Sequence, residues 1–144
     1  MNDGKADRLD EIIASHSSRE GPLLPILHDI QAEFGHVSEE AKRRIAGALN
    51  LSRAEVHGVV SFYHDFRSEP AGKPVLKLCR AEACKSRGVE TLVGAAEAAA
   101  GDRVAVETVY CLGLCTVGPN AMVGKTVHAR LDSAKLTALI GEMA

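Results

Sequence analysis

Four cysteines stand in two close pairs, Cys79-x4-Cys84 and Cys111-x3-Cys115, and the 144-residue chain has no others. Each pair is tight enough to grip one metal atom or one edge of a small cluster. The 26 residues between the pairs are enough for a folded crossover. The opening residues, MNDGKADRLDEI, mix charges and lack an apolar stretch, so no secretory leader and a cytoplasmic location are expected. Thiols stay reduced there, and all four placed in this way point to metal binding rather than to disulfide staples.

Four thiolates suit zinc or an iron–sulfur cluster. Structural zinc commonly uses Cys-x2-Cys knuckles, which neither pair provides. Cys-x4-Cys does occur in plant-type [2Fe-2S] ferredoxins, although their next cysteine follows after two residues. A thiol–disulfide enzyme would carry Cys-x-x-Cys, which is absent. Spacing therefore favours iron. A zinc-stabilised interaction module and a thiol oxidoreductase remain the readings from other classes.

The remaining composition excludes several partners. The net charge of −2 supplies no basic field for nucleic acid or an anionic membrane. With three Phe, two Tyr and no Trp, the chain lacks a stacking platform for single strands, and its core must rest on aliphatic residues. No apolar run approaches the roughly 20 residues of a membrane span, so no membrane insertion is expected.

Two kinds of pattern position the thiols. The first half is helical. Leu9, Ile12, Ile13 and His16 share one face of a first helix. Pro22 at the N1 position opens a second, carrying Leu23, Leu27, Ile30 and Phe34 and stopped by Gly35. Ser38 with Glu39 and Glu40 opens a third, ended by Asn50. Ser52-x-x-Glu55 forms a capping box, with Leu51 and Val56 as a hydrophobic staple, for a fourth helix through Val59 and Val60 to Phe62 and Tyr63. Phe62, Tyr63 and Phe66 are expected in the core at the end of this bundle, with partner contact as the alternative.

A turn-forming break over Arg67–Lys73 follows. Beyond it, Val75–Leu78 reads as a strand, Val89–Ala100 as a helix, and Val104–Tyr110 as a second strand. Ala121–Val123 and Thr126–Ala129 flank Gly124-Lys125, a hairpin turn with glycine first. Asp132 or Ser133 caps a last helix carrying Leu136, Leu139, Ile140 and Met143. The predicted fold class is α+β, a helical bundle over 1–66 followed by an α/β domain over 67–144 with the order βαβ then ββα.

The crossover makes the thiols converge. A helix over 89–100 spans about 18 Å, and a strand over 104–110 about 23 Å. The helix therefore carries the chain back along the first strand and the second strand returns it. Both cysteine loops then leave the C-terminal ends of neighbouring parallel strands, where open α/β sheets place their sites. Gly113 allows a sharp turn between the second pair, Leu112 and Leu114 can exclude water, and Arg80, Lys85 and Arg87 either offset cluster charge or are ordinary solubilising charges.

Other motifs carry less. Gly118 to Thr126 approaches a phosphate loop, but it has five residues between the glycines instead of four and is flanked by strands. His16, His28, His36, His57, His64 and His128 show no ligand spacing and read as packing or surface residues.

Cys79-Arg80-Ala81-Glu82-Ala83-Cys84 with Cys111-Leu112-Gly113-Leu114-Cys115 closely resembles the thioredoxin-like [2Fe-2S] ferredoxin family, which includes the 24-kDa subunit of respiratory complex I and diaphorase subunits of hydrogenases. Leu24-Pro25-Ile26-Leu27-His28 and the run from Leu51 to Tyr63 extend the likeness over nearly the whole chain. Within the family the chain looks most like the gamma subunit of NAD-dependent formate dehydrogenase. It departs from the usual pattern in its short connection, Gly101-Asp102-Arg103, before the second strand. Pro119 resembles the cis-proline position of thioredoxin-like folds.

The resemblance implies that 67–144 is a thioredoxin-like domain with one [2Fe-2S] cluster, Cys79 and Cys84 on one iron and Cys111 and Cys115 on the other. It implies electron transfer or storage beside FMN, with no catalytic residue in this chain. It further implies a flavin- and NAD-binding beta subunit and a large molybdenum- or tungsten-containing subunit that oxidises formate.

Overall fold

The computed structural model describes residues 3–143, and the chain falls into two compact units, Met1–Ala71 and Gly72–Ala144. The first is built from α1 (Asp3–His16), α2 (Leu23–Phe34), α3 (Glu39–Leu49) and α4 (Arg53–Phe62). Their apolar faces meet in one core that includes Leu9, Ile13, Ile26, Leu27, Ile45 and Val56. On α2 the buried face is centred on Ile26, Leu27 and Ile30, while Leu23 and Phe34 at the ends of the expected stripe are half-buried. Pro22 occupies the cap position, one residue earlier than expected.

Local chemistry sets the boundaries of these helices. Ser38 Oγ accepts the Ala41 N–H at 3.1 Å, and Asn50 ends α3 in the left-handed region at φ 54°. At α4 the capping box is complete: Ser52 Oγ accepts from Glu55 N at 3.1 Å, and the Glu55 carboxylate accepts from Ser52 N at 2.8 Å. Beyond α4 the Gln31 side chain holds the exiting segment, accepting from Arg67 N at 2.7 Å and donating to the Asp65 carbonyl.

The aromatic expectation needs correction. Phe66 is buried and packs at a tilt against His28, ring centroids 4.9 Å apart, but Phe62 is 75% exposed and Tyr63 45% exposed. The cause is helical phase. Val56 and Val60 face the core, and Phe62, two residues on, turns to roughly the opposite side of α4.

The second unit is a four-stranded sheet in the order β2-β1-β3-β4, with β1 Val75–Cys79, β2 Ala105–Val109, β3 Ala121–Val123 and β4 Thr126–His128. β1 and β2 are parallel, whereas β3 pairs antiparallel with both β1 and β4. Leu76 and Leu78, two residues apart on β1, are buried in one core with Leu92, Ala96 and Ala100 of α6 (Glu90–Ala100) and Leu136 and Ile140 of α7 (Ser133–Met143). Asp132 is the cap of α7, accepting from Lys135 N at 2.8 Å. Gly124 takes φ 57° in the β3–β4 turn, so the near-phosphate-loop motif is a hairpin.

Two strands end one residue inside their expected limits, β2 at Val109 and β4 at His128, whereas β1 runs one residue past its limit to Cys79. The α-helix missing from the sequence expectation is α5 (Glu82–Ser86), a five-residue helix that contains Cys84. No helix among the described residues is long and apolar enough to cross a membrane.

Removing the Ser52 hydroxyl leaves the Glu55 N–H without its side-chain acceptor, so Ser52→Ala should lower stability by about 1 kcal/mol in urea unfolding. The backbone and hydroxyl of Ser52 hold the Glu55 carboxyl below the usual carboxylate range. Its stabilising contribution is therefore full above the ordinary carboxylate pKa, about 4.3, and is lost as pH falls through the depressed folded value. In Glu55→Ala this part of the acid dependence of the thermal midpoint should disappear.

Candidate metal centre

Parallel pairing of β1 with β2 delivers both cysteine pairs to one end of the sheet. Cys79 is the last residue of β1 and lies opposite Val109, the last of β2. Its N–H donates to the Asn120 carbonyl at 3.0 Å, and the next N–H, of Arg80, donates to the Val109 carbonyl at 2.9 Å. The chain then turns through Ala81 into α5, which brings Cys84 back into the core. Cys79 and Cys84 are both buried.

The second pair follows β2 directly. Cys111 has φ 72°, a left-handed conformation that costs a non-glycine residue energy and calls for local compensation. In this conformation its N–H lies 3.3 Å from the Cys79 sulfur, so the amide of one pair is directed at a thiol of the other. Gly113 turns the loop at φ 82°, and Cys115 opens a 3₁₀ turn over Cys115–Val117 that lies against α5. The Cys111 and Cys115 sulfurs are 3.6 Å apart, and both residues are exposed.

The electrostatics bind the two pairs together. Burial pushes the Cys79 thiol up, but N–H groups of Ala81, Cys111 and Leu112 and the Cys84 thiol together hold it below its ordinary value. Burial and the Cys79 sulfur push Cys84 up, against a backbone hydrogen bond from Asn120. Cys115 is raised first by its hydrogen bond with Cys111 and then by that group's charge. Cys79 also acts on Cys115, and Cys115 on Cys84, so sulfurs from both pairs share one electrostatic neighbourhood.

A third segment closes the site. A Cβ at Gly118 would lie 3.1 Å from the Cys84 sulfur and 3.3 Å from Arg87 Cδ, so glycine is the residue that fits there. The Gly118–Pro119 peptide is cis, as the proline's position led us to expect. Asn120 is 1% exposed and donates from Nδ2 to the Leu114 carbonyl at 2.7 Å. Sequence reasoning missed Gly118 and Asn120 as site residues, although the Gly-Pro step three residues after Cys115 was a visible signal for Gly118.

Two further expectations change. Arg80 is engaged with Glu90 through two contacts of 3.0 and 2.7 Å, so its charge is already met and is not free to offset a cluster. Leu114 is 38% exposed and does not seal the second pair from water, whereas Leu112 packs partly against the core.

The donor set fits a thiolate-bound metal group. A tetrahedral metal with bonds to sulfur of about 2.3 Å holds two thiolates about 3.8 Å apart, close to the 3.6 Å between Cys111 and Cys115. Among the described residues, no group of three or more His, Cys, Asp or Glu is arranged to hold a single metal ion. The thiols are presented as two pairs, which suits two metal atoms better than one. Amides directed at sulfur, as from Cys111 to Cys79, are the hydrogen bonds that tune such clusters.

A parallel strand pair feeding two thiol loops, closed by a cis-proline segment, defines a thioredoxin-like metal-binding unit. The family model for thioredoxin-like [2Fe-2S] ferredoxins matches residues 9–144, and the chain belongs to that family. Its cofactor is accordingly one [2Fe-2S] cluster.

Relatives extend the match. NADP-reducing hydrogenase subunit HndA of Solidesulfovibrio fructosivorans is 29% identical, over 92% of this chain and 82% of its own length. NADH-quinone oxidoreductase subunit 2 of Thermus thermophilus is 31% identical, over 96% of this chain and 83% of its own length. The crystal structure of an NAD+-reducing [NiFe]-hydrogenase in the H2-reduced state superposes with a TM-score of 0.70 at 27% identity, over 84% of this chain. This chain spans 22% of that hydrogenase chain.

The added methyl of Gly118→Ala would press on the Cys84 sulfur. It should lower the iron content of the purified protein or shift the electron paramagnetic resonance (EPR) signal of the reduced cluster. Wild-type iron content with an unshifted signal would show that Cys84 does not need this space.

Proposed function

We propose that this chain is a non-catalytic electron-transfer subunit of an NAD-linked oxidoreductase. In this reading Cys79 and Cys84 bind one iron of a [2Fe-2S] cluster, Cys111 and Cys115 bind the other, and 1–66 and 67–144 are the helical and cluster-bearing domains. The observation that carries it is the Cys111 N–H directed at the Cys79 sulfur at 3.3 Å, which places the two thiol pairs at one edge of the sheet.

When bound, the cluster supplies a one-electron carrier. The protein's part is to bind, shield and tune. Cys79 and Cys84 anchor one side in the core, and the N–H groups of Ala81, Cys111 and Leu112 favour negative charge on Cys79. The exposed pair, beside Tyr110 at 75% exposure, leaves the other side open for exchange with a redox partner.

The finer reading is the gamma subunit of a cytoplasmic NAD-dependent formate dehydrogenase, which converts formate and NAD+ to CO2 and NADH. It rests on the likeness of the Cys79–Cys84 and Val109–Gly113 segments to that subunit. FMN and NAD would then lie in a beta subunit, and a molybdenum or tungsten centre in a large formate-oxidising subunit. The names of the relatives favour a second reading, a hydrogenase or complex I type of NADH dehydrogenase.

Anaerobic purification of the native assembly tests both. On the first reading, formate reduces NAD+ and brings up the EPR signal of the reduced [2Fe-2S] cluster. Reduction by hydrogen, or by NADH with no response to formate, would replace it with the second. Cys111→Ser should remove or alter that signal in the isolated chain, and an unchanged spectrum would remove Cys111 from the ligand set.

A further inference from the structure

Asn120 and Lys42 are the buried polar residues among the described residues. Lys42 has a carboxylate partner, Glu39, at 2.6 Å. The Asn120 side chain is only half satisfied: Nδ2 donates to the Leu114 carbonyl at 2.7 Å, while Oδ1 is buried without a hydrogen-bond partner. Because a carbonyl can only accept, the amide must turn its NH2 toward Leu114. An apolar side chain would avoid the orphaned oxygen, so the hydrogen bond it accompanies has a use beyond filling space.

That use follows from where Asn120 reaches. Its carbonyl accepts the Cys79 N–H at 3.0 Å. Its side chain holds Leu114, the residue before Cys115. One residue thus ties the end of β1 to the second thiol loop, and Gly118, two residues earlier, leaves room for the Cys84 sulfur of α5. The second loop needs such a tether, because Cys111 and Cys115 are exposed and Gly113 gives the backbone freedom to move.

Building on the four-thiol cluster reading, we propose that Asn120 is its positioning residue: the side-chain amide locks the Cys111–Cys115 loop in register with the Cys79–Cys84 pair. Its backbone contacts survive substitution, so the side chain alone is under test.

The experiment uses the reconstituted full chain. Iron release to a ferrous chelator is followed after dithionite reduction, together with the EPR g values and the reduction potential. Groups that hold metal ligands in place typically change metal affinity by 10- to 100-fold when removed. Asn120→Leu should therefore release iron about 10- to 100-fold faster, with shifted g values.

Asn120→Ala also removes the donor to Leu114 but places no branched side chain in the core. It should behave in the same way and keeps the test decisive if the leucine variant does not fold. Ile140→Val, a change in the same core away from the site, controls for general loosening and should release iron at the wild-type rate. Wild-type release and g values in a folded Asn120 variant, or equal acceleration in Ile140→Val, would overturn this inference alone. A wild-type chain that binds no two-iron, two-sulfide cluster would overturn the ligand assignment as well.

Discussion

The pairing of β1 with β2 is the constraint on which the site depends. Because the strands are parallel and in register from Val75 with Ala105 to Cys79 with Val109, they end together, and the loops that leave them begin side by side. An antiparallel pair would send one loop to the far end of the sheet. Parallel pairing requires a crossover, and α6 supplies it while burying Leu92, Ala96 and Ala100 against Leu76 and Leu78. The same contacts that form the core of the second unit thus fix the placement of the thiols.

Around that frame, each thiol pair is set by a different local device. The first is held by regular structure, with Cys79 in a ladder and Cys84 in a short helix. The second depends on an unusual backbone, with Cys111 and Gly113 both at positive φ. The strained conformation at Cys111 is matched by the hydrogen bond that its N–H makes to the opposite pair. The Gly118–Asn120 segment then closes the site, one residue leaving room for sulfur and another joining three chain segments.

Much of this was legible in the sequence because it rests on short-range patterns. Period-two alternation marked the strands, Ser52 and Glu55 marked a helix start, and Gly124 marked the hairpin. Helix and strand lengths alone brought the two pairs to one edge. What escaped depends on long-range context. A five-residue helix such as α5 is too short to show an amphipathic period. The engagement of Arg80 by Glu90 needs the fold before ten residues of separation become 2.7 Å. Phe62 was misplaced because its aromatic character suggested burial, while the phase set by Val56 and Val60 turned it outward. Asn120 gives no signal in isolation, since a buried amide is recognised only by what surrounds it.

The unequal shelter of the two pairs has a consequence for the life of the protein. Cys79 and Cys84 are enclosed, whereas Cys111 and Cys115 face solvent with their sulfurs almost in contact. A newly made chain awaiting metal therefore meets oxidants and alkylating agents from one side only. Oxidation would begin at the outer pair as a disulfide that a reductant reopens to restore all four thiols, whereas alkylation there would not be reversed.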